Sequence, residues 1–414
     1  MNLVKTSILT GISTVIKITT GFFINKIIAI YVGPSGLAVI GQLQNFMSIV
    51  TTFSNGAISQ GVVKYTAECN TIEEKQKIFS SSIVISVICS FLISILLFGF
   101  SDYFSELILK DSQYSSVFIV FGITVFLFAL NTILMSILNG QKEIKKYVFA
   151  NIASSLFALF FTSFLIMQLN LIGALYALVV NQSVIFFVTL GFVVRSSWFQ
   201  FENFKQGLDK ESLIKLSKFS LMAITSALTV PVSHLIVRNY IGENLSWDEA
   251  GYWQGIWYIS TMYLMVVTTS LSVYYLPKLS EIQCKKELKK EIFDGYRVIM
   301  PIVLVMAAMI FLLKEYVILI AFSDSFMPMI DLFLWQLIGD VIKIASWLLG
   351  FITIAKSMTK TYVGLEIFGS LSFIGLSIYF VEQFGLVGIT YSYAANYAVY
   401  LLVIYLIFKK YINE

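Results

Sequence analysis

The residue best placed to do chemistry in this chain is a lysine in the middle of a long apolar segment. Lys17 shares one helical face with Thr6, Thr10, Ser13 and Thr20, at spacings of four, three, four and three. A charged side chain at bilayer depth costs about 2.5–3.5 kcal/mol on insertion scales, so it faces an aqueous cavity or a partner. A cation centred on a polar stripe can neutralise an anionic ligand; the other reading is a structural contact to a neighbouring helix. Lys26 lies nine residues on, turned by about 180° on an ideal helix. It sits near the outer membrane boundary and reads first as a snorkelling side chain, with a cavity role as the second reading.

Further ionisable groups lie in later apolar segments. Gln336, Asp340 and Lys343 share a face. Asp340 and Lys343 are i, i+3 neighbours, and two readings stand: mutual neutralisation, or a carboxylate that couples transport to protons. Pro231, His234 and Arg238 share another face, where the proline kinks the helix and frees a carbonyl. His234 is the one histidine of the chain, which excludes a multi-histidine metal site. Arg238 lies near an outer membrane boundary, as an interfacial anchor or a cavity cation. Arg297 and Glu366 lie about two turns inside the cytoplasmic face; interfacial contact and vestibule lining both stand for them. Gly41, Asn45, Ser48, Thr52, Asn55 and Ser59 recur at helical spacing as a small and polar stripe. The candidate cavity residues are therefore Lys17, Asn45, Asn55, Arg238 and Lys343, with Asp340, Glu366 and His234 as coupling candidates and no metal ligands.

These groups must be positioned by membrane helices. Of 414 residues, 58% are hydrophobic and 13% charged, against about half and a quarter in soluble domains. The apolar residues come in blocks near the roughly 20 residues a spanning helix needs. The alternating ten-residue strands of a membrane barrel are absent. The expectation is an all-α membrane protein with about twelve spans, near 7–32, 36–64, 76–100, 114–139, 145–168, 172–195, 212–240, 248–277, 291–313, 328–352, 359–380 and 386–408. With the N-terminus inside, about 21 lysines and arginines fall in cytoplasmic segments against about three outside. Both termini are then cytoplasmic. The first apolar run continues past Lys17 with no small-residue cleavage site and reads as a span, not a leader. Cys69 and Cys284 fall in cytoplasmic loops and Cys89 inside a span, so no disulfide is expected. The net charge of +4 is spread over short loops, which argues against nucleic acid. There is no phosphate-binding loop, zinc-protease or nucleophile-elbow motif, and no cofactor is expected.

The chain divides at the stretch 195–218. The expected organisation is an N-terminal six-helix lobe at 1–196, a cytoplasmic linker at 197–211 and a C-terminal six-helix lobe at 212–414. The lobes look related: adding 213 to the stripe of span two gives Gln254, Tyr258, Thr261, Met265, Thr268 and Ser272 in span eight. Six spans per lobe preserve orientation, so the repeat is parallel, a transporter plan with the substrate at the interface of the halves.

Several stretches carry a family resemblance: Tyr31-Val32-Gly33-Pro34-Ser35-Gly36-Leu37, Gly61-Val62-Val63-Lys64-Tyr65, Ser217-Lys218-Phe219-Ser220-Leu221-Met222-Ala223, Ser246-Trp247-Asp248-Glu249 and Trp335-Gln336-Leu337-Ile338-Gly339-Asp340. With Lys17 and Lys26, they make the chain resemble, along nearly its whole length, the bacterial Wzx-type flippases of the multidrug/oligosaccharidyl-lipid/polysaccharide exporter superfamily. The likeness is to the O-antigen and enterobacterial common antigen members. His234 departs from that pattern, which carries an aromatic residue there. The resemblance implies a MATE-like fold around a cationic cavity. It also implies transfer of an undecaprenyl-diphosphate-linked oligosaccharide across the inner membrane, coupled to protons or membrane potential, with membrane lipids, a glycan polymerase and a chain-length regulator as partners. Three alternatives differ in sequence signature. A drug or cation antiporter on the same fold would favour an acidic, aromatic cavity. A membrane-embedded glycan-processing enzyme would show a long external loop or an acid–base cluster. A scaffold subunit would differ only in failing to transport.

Overall fold

The computed structural model describes residues 3–69, 71–204 and 206–413; Lys205 and the side chains at 3–8, 203, 218, 219, 273 and 413 lie outside the described residues, so nothing is said of Thr6, Lys218 or Phe219 as side chains. The described chain is helical, with short 3-10 and π turns and no strand among the described residues. Eight helical stretches are long and apolar enough to cross a membrane. Two of them are too long for one crossing. Ile144–Val194 has 51 residues and Thr359–Ile412 has 54; at about 1.5 Å per residue each exceeds twice the roughly 30 Å hydrocarbon thickness. Each is broken where the sequence placed a turn, at Asn170 (φ 51°, ψ −129°) and at Gly385 (φ 61°, ψ −148°). The segments expected at 36–64 and 248–277 are helical but fall outside the eight, because their polar stripes lower their hydropathy.

The chain forms two compact units. The first comprises Met1–Val32 and Val39–Pro231, the second Gly33–Ala38 and Val232–Glu414. The division between these compact units falls at Pro231, inside the helix Lys210–Asn244. The reason lies in the packing of that helix's first half. Leu216 is fully buried with Ile58, Val62, Ile78, Phe79, Ile133 and Ile137, and the Ser220 hydroxyl donates to the Gly56 carbonyl at 3.2 Å. The helix starts at Asp209, whose Oδ2 accepts from the Ser212 amide and hydroxyl, both at 2.7 Å. Those two bonds hold the Asp209 carboxyl below its ordinary range. In the second unit, two of the stretches that carry the family resemblance meet: the Ser35 amide donates to Asp248 Oδ1 at 3.1 Å. A carboxylate there complements the positive end of the helix Gly33–Ser54.

The internal repeat is written in the backbone. The positive-φ residues Lys142 and Ser357, and likewise Asn170 and Gly385, are 215 positions apart, close to the 213 read from the side chains. The turn after Lys142 has the amides of Gln141, Lys142 and Glu143 bonded to Ile137, Asn139 and Leu138; Lys356, Ser357 and Met358 repeat it on Ile352, Ile354 and Thr353. Three residues past each later turn stands a glycine, Gly173 or Gly388. A Cβ there would meet the carbonyl oxygen of Leu165 or Phe380 at 2.1 and 2.0 Å. Only the missing side chain lets each returning helix lie that close.

Candidate functional site

In the second unit the buried charges gather around Asp340. This carboxylate has no exposed surface. Its Oδ2 accepts from the Ser260 hydroxyl at 2.7 Å and the Tyr263 hydroxyl at 2.9 Å, its Oδ1 from the Tyr393 hydroxyl at 2.8 Å. Gln336 Nε2 extends the network to Ser260 Oγ at 3.1 Å. Lys343, one turn on, forms no ion pair with Asp340 within 4 Å, which corrects the self-neutralising pair the spacing allowed. Its ammonium sits instead among four rings, 4.9 Å from Trp257, 5.1 Å from Trp347, 5.6 Å from Tyr397 and 5.9 Å from Tyr393. Ring faces attract a cation by roughly 0.5–2 kcal/mol each as water is excluded. Lysine and carboxylate are thus held close by different partners, a cage and a hydroxyl cradle, rather than by each other.

The same unit encloses His234 and Arg238. His234 lies 4.3 Å from Trp257, 5.2 Å from Trp253 and 6.0 Å from Phe373, ring centre to ring centre. Arg238 is 1% exposed. It stacks over Trp253 at 5.3 Å and its Nη2 donates to Gln254 Oε1. The helix runs on to Asn244, and Arg238 is held within it against Trp253 and Gln254 rather than at an exposed helix end. Glu366 is half-buried on the helix Thr359–Phe384, within electrostatic reach of Tyr397 and Tyr400. Arg297 reaches Asp294 at 3.7 Å on an exposed surface.

In the first unit the polar stripe of span two lines a cleft. Ser48, Thr52, Asn55 and Ser59 border a volume of about 320 Å3 with Gln60, Ala223 and Ser226. The helix breaks there, at Asn55 and the positive-φ pair Gly56 and Ala57. Asn55 is 6% exposed and its Oδ1 has no hydrogen-bond donor. Asn45 is half-buried and outside this cleft. Lys17 is exposed, with no side-chain partner among the described residues, while Thr20 on its stripe is buried and donates to the Lys17 carbonyl at 3.1 Å. Lys26 is half-buried.

Sequence reasoning missed the rings around Lys343 and the hydroxyls around Asp340. The available signal was aromatic spacing: Trp253 and Trp257, Tyr393 and Tyr397, and Lys343 and Trp347 are each four apart, on one helical face. Gly339 permits the cradle, since a Cβ there would lie 2.3 Å from Tyr393. Gly339→Ala is expected to push Tyr393 off Asp340 and to cost about 1–3 kcal/mol, as overpacking does. A Gly339→Ala protein with an unchanged thermal midpoint in detergent would contradict that packing.

The fold is that of the MATE transporters. The chain superposes on the inward-facing conformation of a multidrug resistance MATE family transporter of the MOP superfamily with a TM-score of 0.80, at 16% identity, covering 97% of this chain and 94% of that one. A model of the family described as polysaccharide biosynthesis protein matches residues 27–331, well over half of the chain. The chain belongs to that family. It is also 26% identical, over 97% of its length and 96% of theirs, to the lipid III flippases of Escherichia coli (strain K12) and Shigella flexneri.

Proposed function

We propose that this chain is a flippase that carries an undecaprenyl-diphosphate-linked oligosaccharide from the cytoplasmic to the periplasmic leaflet by alternating access. The observation that carries the reading is the near full-length similarity to two lipid III flippases on a MATE-like fold. The residues give it a physical basis. The substrate joins a diphosphate anion, a polar glycan and a long lipid tail. Lys17 is an exposed ammonium on a membrane helix, with no ion pair among the described residues, suited to the diphosphate. Asn45 and Asn55 offer amides to sugar hydroxyls. Arg238 is enclosed by its own unit, so its proposed part is to shape the site; Lys343 is half-buried among its rings and keeps a proposed contact with substrate. Asp340 is the first candidate for coupling to protons or potential, ahead of Glu366 and His234. The proposed topology has twelve spans, six in each half, with both termini cytoplasmic; a glycan polymerase and a chain-length regulator are proposed partners.

A strain lacking its own lipid-linked glycan flippase tests the reading in cells. Expression of this chain is expected to restore surface glycan from a repeat unit it accepts and to empty the pool of stalled lipid-linked intermediate. Full membrane expression with the intermediate still accumulating, across repeat units of several compositions, would argue for the scaffold alternative.

A further inference from the structure

A second cleft in the first unit shares Ser59 and Gln60 with the one beside Asn55. It encloses about 380 Å3, within the size range of ligand sites. Ten of its fifteen lining residues are polar, among them Gln60, Asn131, Asn139, Tyr147, Asn151 and Gln182, and none is charged. The lining runs from Asn131 and Gln182, inside expected spans, to Asn139 and Tyr147 at their expected cytoplasmic ends, and polar side chains within spans mark substrate paths. Asn131 shows the unfilled demand most clearly. It is 5% exposed, its Nδ2 donates to Gln182 Oε1 at 3.1 Å, and its Oδ1 accepts nothing. Buried amide oxygens are normally satisfied, so this one waits for a donor. The side chains of Gln60, Asn139 and Ser154 also engage no hydrogen bond among the described residues.

The internal repeat supplies a control. Moving 215 positions on, Thr132, Gln182 and Ile185 become Trp347, Tyr397 and Tyr400. In the second unit that space holds rings: Tyr397 and Tyr400 stand 6.3 Å apart, and a Cβ on Gly369, the counterpart of Ser154, would touch Tyr400 at 3.2 Å. The two repeats thus line this position with different chemistry: rings beside Lys343 and Glu366 in the second unit, uncharged amides and hydroxyls in the first. We infer that this cleft is a binding subsite for uncharged sugars. Asn and Gln present a donor and an acceptor side by side, which matches neighbouring hydroxyls or an acetamido group, and the absence of charge suits a neutral glycan rather than the diphosphate. The inference rests on the flippase reading and assigns the sugar end of its substrate to the first unit.

The test uses the purified full chain in proteoliposomes with two probes: undecaprenyl diphosphate bearing a neutral N-acetylated trisaccharide, and the same lipid bearing a single N-acetylglucosamine. Asn139→Ala removes an amide that bonds to nothing among the described residues and should fold; Asn131→Leu with Gln182→Leu is the stronger variant. The ratio of trisaccharide to monosaccharide transport is expected to fall about tenfold in either, the scale of one or two lost hydrogen bonds. An unchanged ratio in variants of normal thermal midpoint, or an equal fall for both probes, would make the cleft a hydrated packing feature and leave the flippase reading standing. Should the wild-type chain move neither lipid, that reading falls. Saturation-transfer NMR with the free trisaccharide then decides the cleft alone: a signal lost in Asn139→Ala supports it, and no wild-type signal overturns it.

Discussion

Replacing Asp340 by alanine is expected to destabilise the second unit by about 2–5 kcal/mol. Three hydroxyls, of Ser260, Tyr263 and Tyr393, donate to this one carboxylate, and hydrogen bonds between membrane helices are worth roughly 0.6 kcal/mol on average and up to about 1.7. The loss is therefore collective, and it leaves Lys343 without its nearby carboxylate. Asp340→Asn keeps the shape and one acceptor, and the hydroxyls can rotate to suit, so about half of that stability should be retained. The two variants together separate structure from coupling. Asparagine takes up and releases no proton. If Asp340 couples transport, Asp340→Asn should make a protein of near-normal yield whose transport no longer varies with pH. A transport rate that keeps its wild-type pH profile in Asp340→Asn would remove Asp340 from the coupling step and leave it as the centre of a packing network.

The second large effect is expected at Lys17. This side chain is exposed and touches no described partner, so Lys17→Ala should change stability by less than about 0.5 kcal/mol, as surface substitutions do. Transport should respond very differently. An ammonium about 4 Å from a diphosphate oxygen is worth roughly 4 kcal/mol at an effective dielectric near 20; hydration of an open site reduces this, leaving a loss of at least about tenfold in rate, which needs only about 1.4 kcal/mol. Lys17→Arg should keep part of the rate, because the charge persists while its geometry and hydration change. Normal glycan display from Lys17→Ala at native expression, in cells with no substitute flippase, would leave Lys17 a bystander and move the search to Arg297 and Arg238.

Much of this architecture was legible because hydropathy and helical spacing are local. Lipid leaves few options for a long apolar run, so the helices fell where the blocks lay, and the turn between the spans ending near 168 and beginning at 172 is the break at Asn170. Ser48, Thr52 and Asn55 share one cleft, since their spacing is the helix's own, and Ser59 joins them from the next helix, beyond the break at Gly56 and Ala57. The surroundings of Lys343 were not legible, because Trp257, Tyr393 and Tyr397 arrive from two other helices and the sequence interval records no such approach. The i, i+3 spacing of Asp340 and Lys343 suggested an ion pair, and competition from better-placed hydroxyls and rings overrode it. The partners of Arg238 were not legible either, because the boundary of an apolar run is not the end of a helix, and this one continues to Asn244. The contacts that tie Leu216 and Ser220 back to the first unit were hidden likewise, since composition marks a linker at 197–211 and records no such packing.

The most direct test is movement of the lipid itself. The purified chain would be reconstituted into vesicles carrying an undecaprenyl-diphosphate-linked oligosaccharide with a fluorescent sugar, and the label read by its exposure to an impermeant quencher. We predict that wild-type protein exposes the inner-leaflet pool within minutes, far faster than protein-free vesicles, and that Lys17→Ala does so at least about tenfold more slowly. Folded wild-type protein that leaves the inner-leaflet pool as protected as in empty vesicles, with every glycan composition tried, would contradict the account.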